Sequence, residues 1–187
     1  MRKFLIFFLF SFQLIAQEIP NSVQFWNTLK THCGKAYEGK IVAGGKKGDG
    51  FTGKKLVMHI RSCEKDSIRI PFFVGDDKSR TWVFTMNDEK LIKLKHDHRH
   101  KDGLEDKITQ YGGESPNIGL ANIQFFPADK HTVKLIPAAA TNLWWVTINK
   151  TSFTYNLRRI GTDRFFSVKF DLTKEIETPS KPWGSED

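Results

Sequence analysis

The sequence lacks any apolar run long enough to cross a bilayer, which takes about 20 residues in a helix. The nearest approach is "MRKFLIFFLFSFQLIAQ" at the N-terminus, and no later segment comes close. There Arg2 and Lys3 precede the apolar run and the small residue Ala16 closes it, the layout of a secretory signal cleaved after Ala16. Position 17 is glutamine, so the cysteine of a lipoprotein anchor is missing. The sequence therefore predicts residues 1–16 as a signal peptide and a mature chain that is secreted or periplasmic, with no transmembrane segment of its own.

Cysteine is scarce as well. Cys33 and Cys63 are the two present, too far apart for a C-x-x-C redox motif, and in an oxidising compartment such a pair closes a disulfide. The bridge would pin the segment before the first strand to the second strand. Also missing are a G-x-S-x-G elbow, an H-E-x-x-H pair, a P-loop and a dinucleotide fingerprint. The chain reads as a binding protein before an enzyme, with catalysis left open. "NKT" at Asn149 is a glycosylation acceptor in a eukaryotic secretory route and carries no meaning in most bacteria.

Charge of one sign is in modest excess. The formal net charge of +8 loses two when Arg2 and Lys3 leave, and the remaining Lys and Arg are scattered, so no nucleic-acid partner is expected. Weak binding to an anionic surface, a lipid headgroup or an acidic polysaccharide, is the alternative that a basic exported protein offers. "GGKKGDGFTGKK" reads as a mobile basic loop. About 170 residues remain after cleavage, enough for one core and no more, and no internal repeat divides them. The expected organisation is a single domain over 17–176 with a loosely ordered tail over 177–187, as a monomer.

Helical periodicity is nearly confined to "SVQFWNTLKTHCGK", capped by Asn21 or Ser22. Beyond it the period is two. Ile68, Ile70, Phe72 and Val74 share a face, as do Trp82, Phe84 and Met86, then Phe153, Tyr155 and Leu157, then Phe166, Val168, Phe170 and Leu172. Short turns such as "VGDDKS", "MNDEK" and "IGTDR" make consecutive strands antiparallel. Nine or ten such strands with one apolar face predict an all-β chain, an antiparallel β-barrel with a short N-terminal helix, and a two-sheet sandwich is the alternative. "PADKHTVKLIPAAATN" is the longest irregular stretch and could lie across one mouth.

A short helix carrying Trp26, then "YEGKI", a run of hairpins and the closing pair "FTYNLRRIGTDRFFSVKFDL" resemble the lipocalin and related calycin barrels over most of the mature chain. That resemblance implies a barrel holding a small ligand. The chain also resembles bacterial exported proteins more than any enzyme family.

The chemistry concentrates in "LIKLKHDHRHKDG". Alternation sets Ile92, Leu94, His96, His98 and His100 on one face, so the histidines continue an apolar row toward the strand end. Two imidazoles at that spacing can reach one divalent ion, with His100, Asp102, Glu105 or Asp106 as the third ligand. Zinc, copper, nickel and iron are the metals considered. His98-x-His100, Glu105 and Gly112 are also similar to the first metal motif of cupins, which implies a metal-dependent enzyme using His98, His100 and Glu105. A metal-free polar site and a solvated strand end remain the competing readings. The hairpin at "NDEK" returns the strand toward "VGDDKSRTW", placing Asp76, Asp77 and Arg80 at the same barrel mouth as candidate ligand contacts with Asp102. His59 lies opposite the face of Leu56, Met58 and Ile60, and Trp144 and Trp145 point to opposite faces.

Overall fold

The structure is a computed structural model that describes residues 18–185. The expected signal segment, residues 1–16, lies outside the described residues. Helix α1 spans Asn21–Lys30 and begins directly after Pro20 with no side-chain cap. The expected caps are used otherwise: Asn21 Nδ2 donates to the Gly119 carbonyl at 3.1 Å, and Ser22 is fully buried. Phe25, Trp26 and Leu29 form the apolar stripe that the 3.6-residue period demands, and all three enter the core.

Eleven strands follow among the described residues, one more than the upper expectation because β3 is a two-residue piece. They are β1 Ala36–Ala43, β2 Leu56–His59, β3 Ser62–Cys63, β4 Ser67–Val74, β5 Asp77–Met86, β6 Ile92–His98 and β7 Tyr111–Glu114. The second half adds β8 Ile123–Pro127, β9 Asn142–Ile148, β10 Ser152–Arg159 and β11 Phe165–Ile176. Their order is β7-β6-β5-β4-β2-β1-β11-β10-β9-β8, with β3 off the path against β4. Each neighbouring pair is antiparallel, so the chain forms two meanders joined where β1 pairs with β11. This nearly closed barrel agrees with the expected fold class and, in layout, with a lipocalin-like barrel.

The inner face is the one the period of two marked. Ile68, Ile70, Phe72, Phe84, Ile92, Leu94, Phe153, Val168 and Phe170 are all at most 3% exposed, and each such side chain contributes on the order of 2 kcal/mol by leaving water. Helix α1 packs against β8 and β9, and Asn21 reaches the segment entering β8. It therefore covers the barrel end opposite the β8–β9 connection. The Cys33–Cys63 disulfide forms across 30 residues, joining the turn after α1 to β3 rather than to β2 itself. Closing a loop of that length stabilises by about 3–4 kcal/mol through the unfolded chain, and the bridge fits an oxidising compartment.

Where β7 meets β8 no ladder forms among the described residues, and the gap is sealed by helix α2, Lys130–Leu135, in the stretch expected to be irregular. The Thr132 hydroxyl accepts from the Gly112 N–H and donates to the Gly112 carbonyl, both at 2.7 Å, while the Asp129 N–H reaches the same carbonyl at 3.0 Å. Asp129 also caps α2 through the Thr132 N–H and pairs with Lys95 at 2.5 Å. Backbones meet here so closely that a Cβ at Gly113 would stand 1.7 Å from the Pro127 carbonyl oxygen. Within the segment expected as a loosely ordered tail, the Trp183 N–H donates to the Lys78 carbonyl, Pro182 is buried and Lys101 sits over the Trp183 ring.

Candidate functional site

Strands that alternate apolar and polar residues must stop being apolar where the barrel opens. Three inner rows do so at the same end. Trp82 and Phe84 continue to Arg80, Leu94 continues to His96 and His98, and Tyr155 and Leu157 continue to Arg159. The hairpin between β5 and β6 is formed as expected, and its register sets Arg80 opposite His98 and Trp82 opposite His96. These residues line a cavity of about 570 Å³ at the end opposite α1.

Aromatic rings make the inner wall. Trp82 stacks on Phe72 at 4.7 Å and on Tyr155 at 4.5 Å, with interplanar angles of 14° and 13°. Phe51 continues the stack onto Phe72 and also tilts against Phe166. Phe51 comes from the β1–β2 loop, which is organised rather than mobile. The Asp49 carboxylate accepts from the backbone N–H of Lys46, Phe51 and Thr52 and from the Thr52 hydroxyl, all at 2.7–2.8 Å. Those donors hold the Asp49 carboxyl far below its ordinary range. The apparent basic loop is thus a flap that lays an aromatic ring at the mouth.

His96 is buried, with both ring nitrogens engaged. Nδ1 lies 3.0 Å from the Tyr111 carbonyl and Nε2 2.7 Å from the Tyr155 hydroxyl. A carbonyl only accepts, so Nδ1 carries the proton, and in the neutral ring Nε2 accepts from Tyr155. Burial pushes the His96 pKa down to about 3, which fixes this neutral form at neutral pH. The ring stacks on Tyr111 at 4.5 Å and 10°. His98 follows with Nε2 at 3.1 Å from the Tyr111 hydroxyl, and burial together with the nearby Arg80 charge lowers its pKa to about 4. Burial raises Tyr111 to about 12 and Tyr155 well above its ordinary value. The arrangement is a neutral chain Tyr155–His96–Tyr111–His98 leading from wall to mouth, able to offer hydrogen bonds and to exclude charge from its inner end.

The candidate residues are only partly brought together. Arg80 reaches the cavity, hydrogen-bonds Asp77 and lies 5.3 Å from the Phe51 ring centroid. Asp77, whose carboxyl is lowered by Ser79 and Arg80 against its burial, supports Arg80 from behind. Asp76 is exposed in the two-residue turn with Gly75, whose φ of 59° suits glycine. His100 has left β6: its carbonyl and N–H close a turn with Gly103 and Leu104, and its side chain is exposed. Asp102 caps that turn through the Leu104 N–H, and Glu105 pairs with Arg99 at 3.0 Å. Asp106, not Asp102, is the carboxylate of this segment that lines the cavity.

Hence His96, His98, His100 and Glu105 do not converge on one point. Among the described residues no group of three or more His, Cys, Asp or Glu is placed to hold a metal ion. Neither His59 nor His131 lines the cavity, so the further histidine that a cupin-type centre needs is not at hand there. His59 is instead buried, and burial lowers its pKa. Asp97, on the outer face, is 3% exposed in its side chain and bound by Arg69 at 2.6 Å and Arg99 at 2.9 Å.

Sequence reasoning missed Tyr111, Tyr155, Arg159 and Arg164 as cavity residues. Two carried a signal. Tyr155 is a hydroxyl on an apolar face, which demands a partner, and Arg159 is a charge continuing that same face. Trp144 is buried at 2% exposure while Trp145 lies outside against Phe165, the opposition that alternation required. Ile136 and Ala139, from the connection between β8 and β9, do lie across the mouth. Among the described residues no helix is long and apolar enough to cross a membrane. Comparisons with protein-family models, with curated proteins and with solved structures found no match.

Proposed function

We propose that this chain is an exported binding protein that holds a small ligand in the barrel mouth, without a metal, between the aromatic wall and the His98–Arg80 rim. The observation that carries the reading is the cavity itself: about 570 Å³, walled by stacked rings and edged by a few polar groups. Sites for small molecules have this size and this mixture of apolar wall and sparse polar contacts. His96 is already satisfied by protein partners, whereas His98 stands nearer the opening as the imidazole available to a ligand.

A fluorescence titration tests it, using the neutral apolar dye N-phenyl-1-naphthylamine, with Trp82 and Trp144 as energy donors. One dye per chain with micromolar affinity is expected, weakened at least tenfold by Ile108→Trp at the exposed rim. Absence of saturable binding, or indifference to the rim substitution, overturns the reading. Isothermal titration of metal-stripped protein with zinc, copper, nickel and iron covers the metal alternative: stoichiometric uptake lost in His98→Ala would reinstate it.

A further inference from the structure

Resting on the binding reading above, the geometry points to a ligand with an anionic head and an apolar, ring-bearing body, its head held by Arg159 and Arg164 on the β10–β11 side of the mouth. Arg159 ends the inner row of β10 and is half-buried, with Nε donating to Asn142 Oδ1 at 2.9 Å. That bond uses one edge of the guanidinium and leaves the two terminal nitrogens free to form a fork toward the opening. Arg164, in the turn between β10 and β11, lines the same cavity.

Among the described residues neither arginine makes an ion pair, although Asp163 of the same turn also lines the cavity. The contrast is with three other arginines of the barrel. Arg80 has Asp77, Arg69 has Asp97, and Arg99 has both Asp97 and Glu105. The two cavity arginines are near enough to interact: the Arg159 N–H donates to the Arg164 carbonyl at 3.0 Å, and burial and the Arg164 charge lower the pKa of the Arg159 guanidinium. Arg164 also acts on Tyr111 and Tyr155, inside the cavity. Two uncompensated guanidinium groups beside a low-dielectric wall are relieved by an anion that accepts from both, and a carboxylate, sulfonate or phosphate matches their planar forks.

Of the remaining charges around the cavity, Arg80 is already paired with Asp77, and Lys46 and Asp163 stand exposed to solvent. On the opposite side Asp106 faces His98, and Asp49 is consumed by the backbone of its own loop. The unpaired guanidinium groups therefore favour the β10–β11 side for an anion over the side where Asp106 stands and Arg80 is taken by Asp77. The body then extends over Tyr155 and Trp82, whose faces form the wall below Arg159. Cationic and uncharged ligands gain nothing from the arginine pair, so the site selects by charge as well as by shape.

Two dyes that differ only by one sulfonate test this directly: 8-anilinonaphthalene-1-sulfonate and N-phenyl-1-naphthylamine. The anionic dye is expected to bind at least tenfold more tightly than the neutral one, and the double substitution Arg159→Gln/Arg164→Gln to bring the ratio of the two affinities near one. Sodium chloride at 0.5 M should shrink the ratio in the parent and leave it unchanged in the double variant. If the neutral dye binds as well as the anionic dye, or if the double variant keeps the ratio, the anion inference fails while the binding cavity stands. If neither dye binds, the binding reading fails and this inference with it.

Discussion

Lowering the pH from 7.5 to 5.0 should destabilise the fold through the buried histidines, and the size can be worked out. His96 is held down to about 3 and His98 to about 4, against an ordinary value of 6.5. Between those limits the unfolded chain binds protons that the folded chain refuses, so stability is full above pH 6.5 and falls as the pH drops toward the folded values. At pH 5.0 a histidine that stays neutral in the fold costs about 2 kcal/mol, and the two together about 4 kcal/mol. His32 and His59 are shifted the same way by burial and add to the loss. The lowered carboxyls of Asp77, Asp129 and Asp171 have an ordinary value of 3.8, so their contribution is lost mainly below this range. The assay is urea unfolding at the two pH values with the disulfide intact, on the parent and on His96→Gln. The substitution lowers stability at pH 7.5, because it removes a stacked ring and its bonds to Tyr111 and Tyr155. Its pH difference, however, should be smaller by about 2 kcal/mol. An unchanged pH difference would refute the claim that His96 is buried neutral.

Two further substitutions probe the frame that holds the site. Asp97→Asn leaves Arg69 and Arg99 without their shared carboxylate, and should cost about 2–3 kcal/mol in urea unfolding at neutral pH; a loss under half that would show the outer network to be dispensable. Gly113→Ala places a methyl 1.7 Å from the Pro127 carbonyl oxygen, and should destabilise by about 1–3 kcal/mol and raise amide exchange at Gly112 and Asp129, whereas normal exchange there would mean the seam does not depend on close approach.

Most of the barrel is legible in the chain because β-strands report their own faces. Ile68, Ile70, Phe72 and Val74, and again Phe153, Tyr155 and Leu157, recur at every second position, and the turn at Asn87 fixes the register that opposes Arg80 to His98. The fate of His100 was not legible: alternation assumes the strand continues, and the chain turns instead at Asp102 and Gly103. The flap over the mouth was misread because four lysines outweigh one phenylalanine by count, while Asp49 and Phe51 decide its shape. Arg159 and Arg164 belong to a strand pair that meets β5 and β6 only across the closed barrel. No local pattern encodes that meeting; it follows from the pairing of β1 with β11.

That pairing also governs what a partial chain can do. Ala36 lies against Ile176 and Ala43 against Ser167, so the first and last strands are neighbours along nearly their full length. Until Phe165–Ile176 is available, β1 and β10 each present an unsatisfied backbone edge beside rows of apolar side chains. The two meanders can each assemble from nearby sequence, but neither can shield its inner face alone. Burial becomes complete only when the strand nearest the end of the described chain joins the one nearest its start, so the cavity exists as a property of the finished circuit and of no shorter piece.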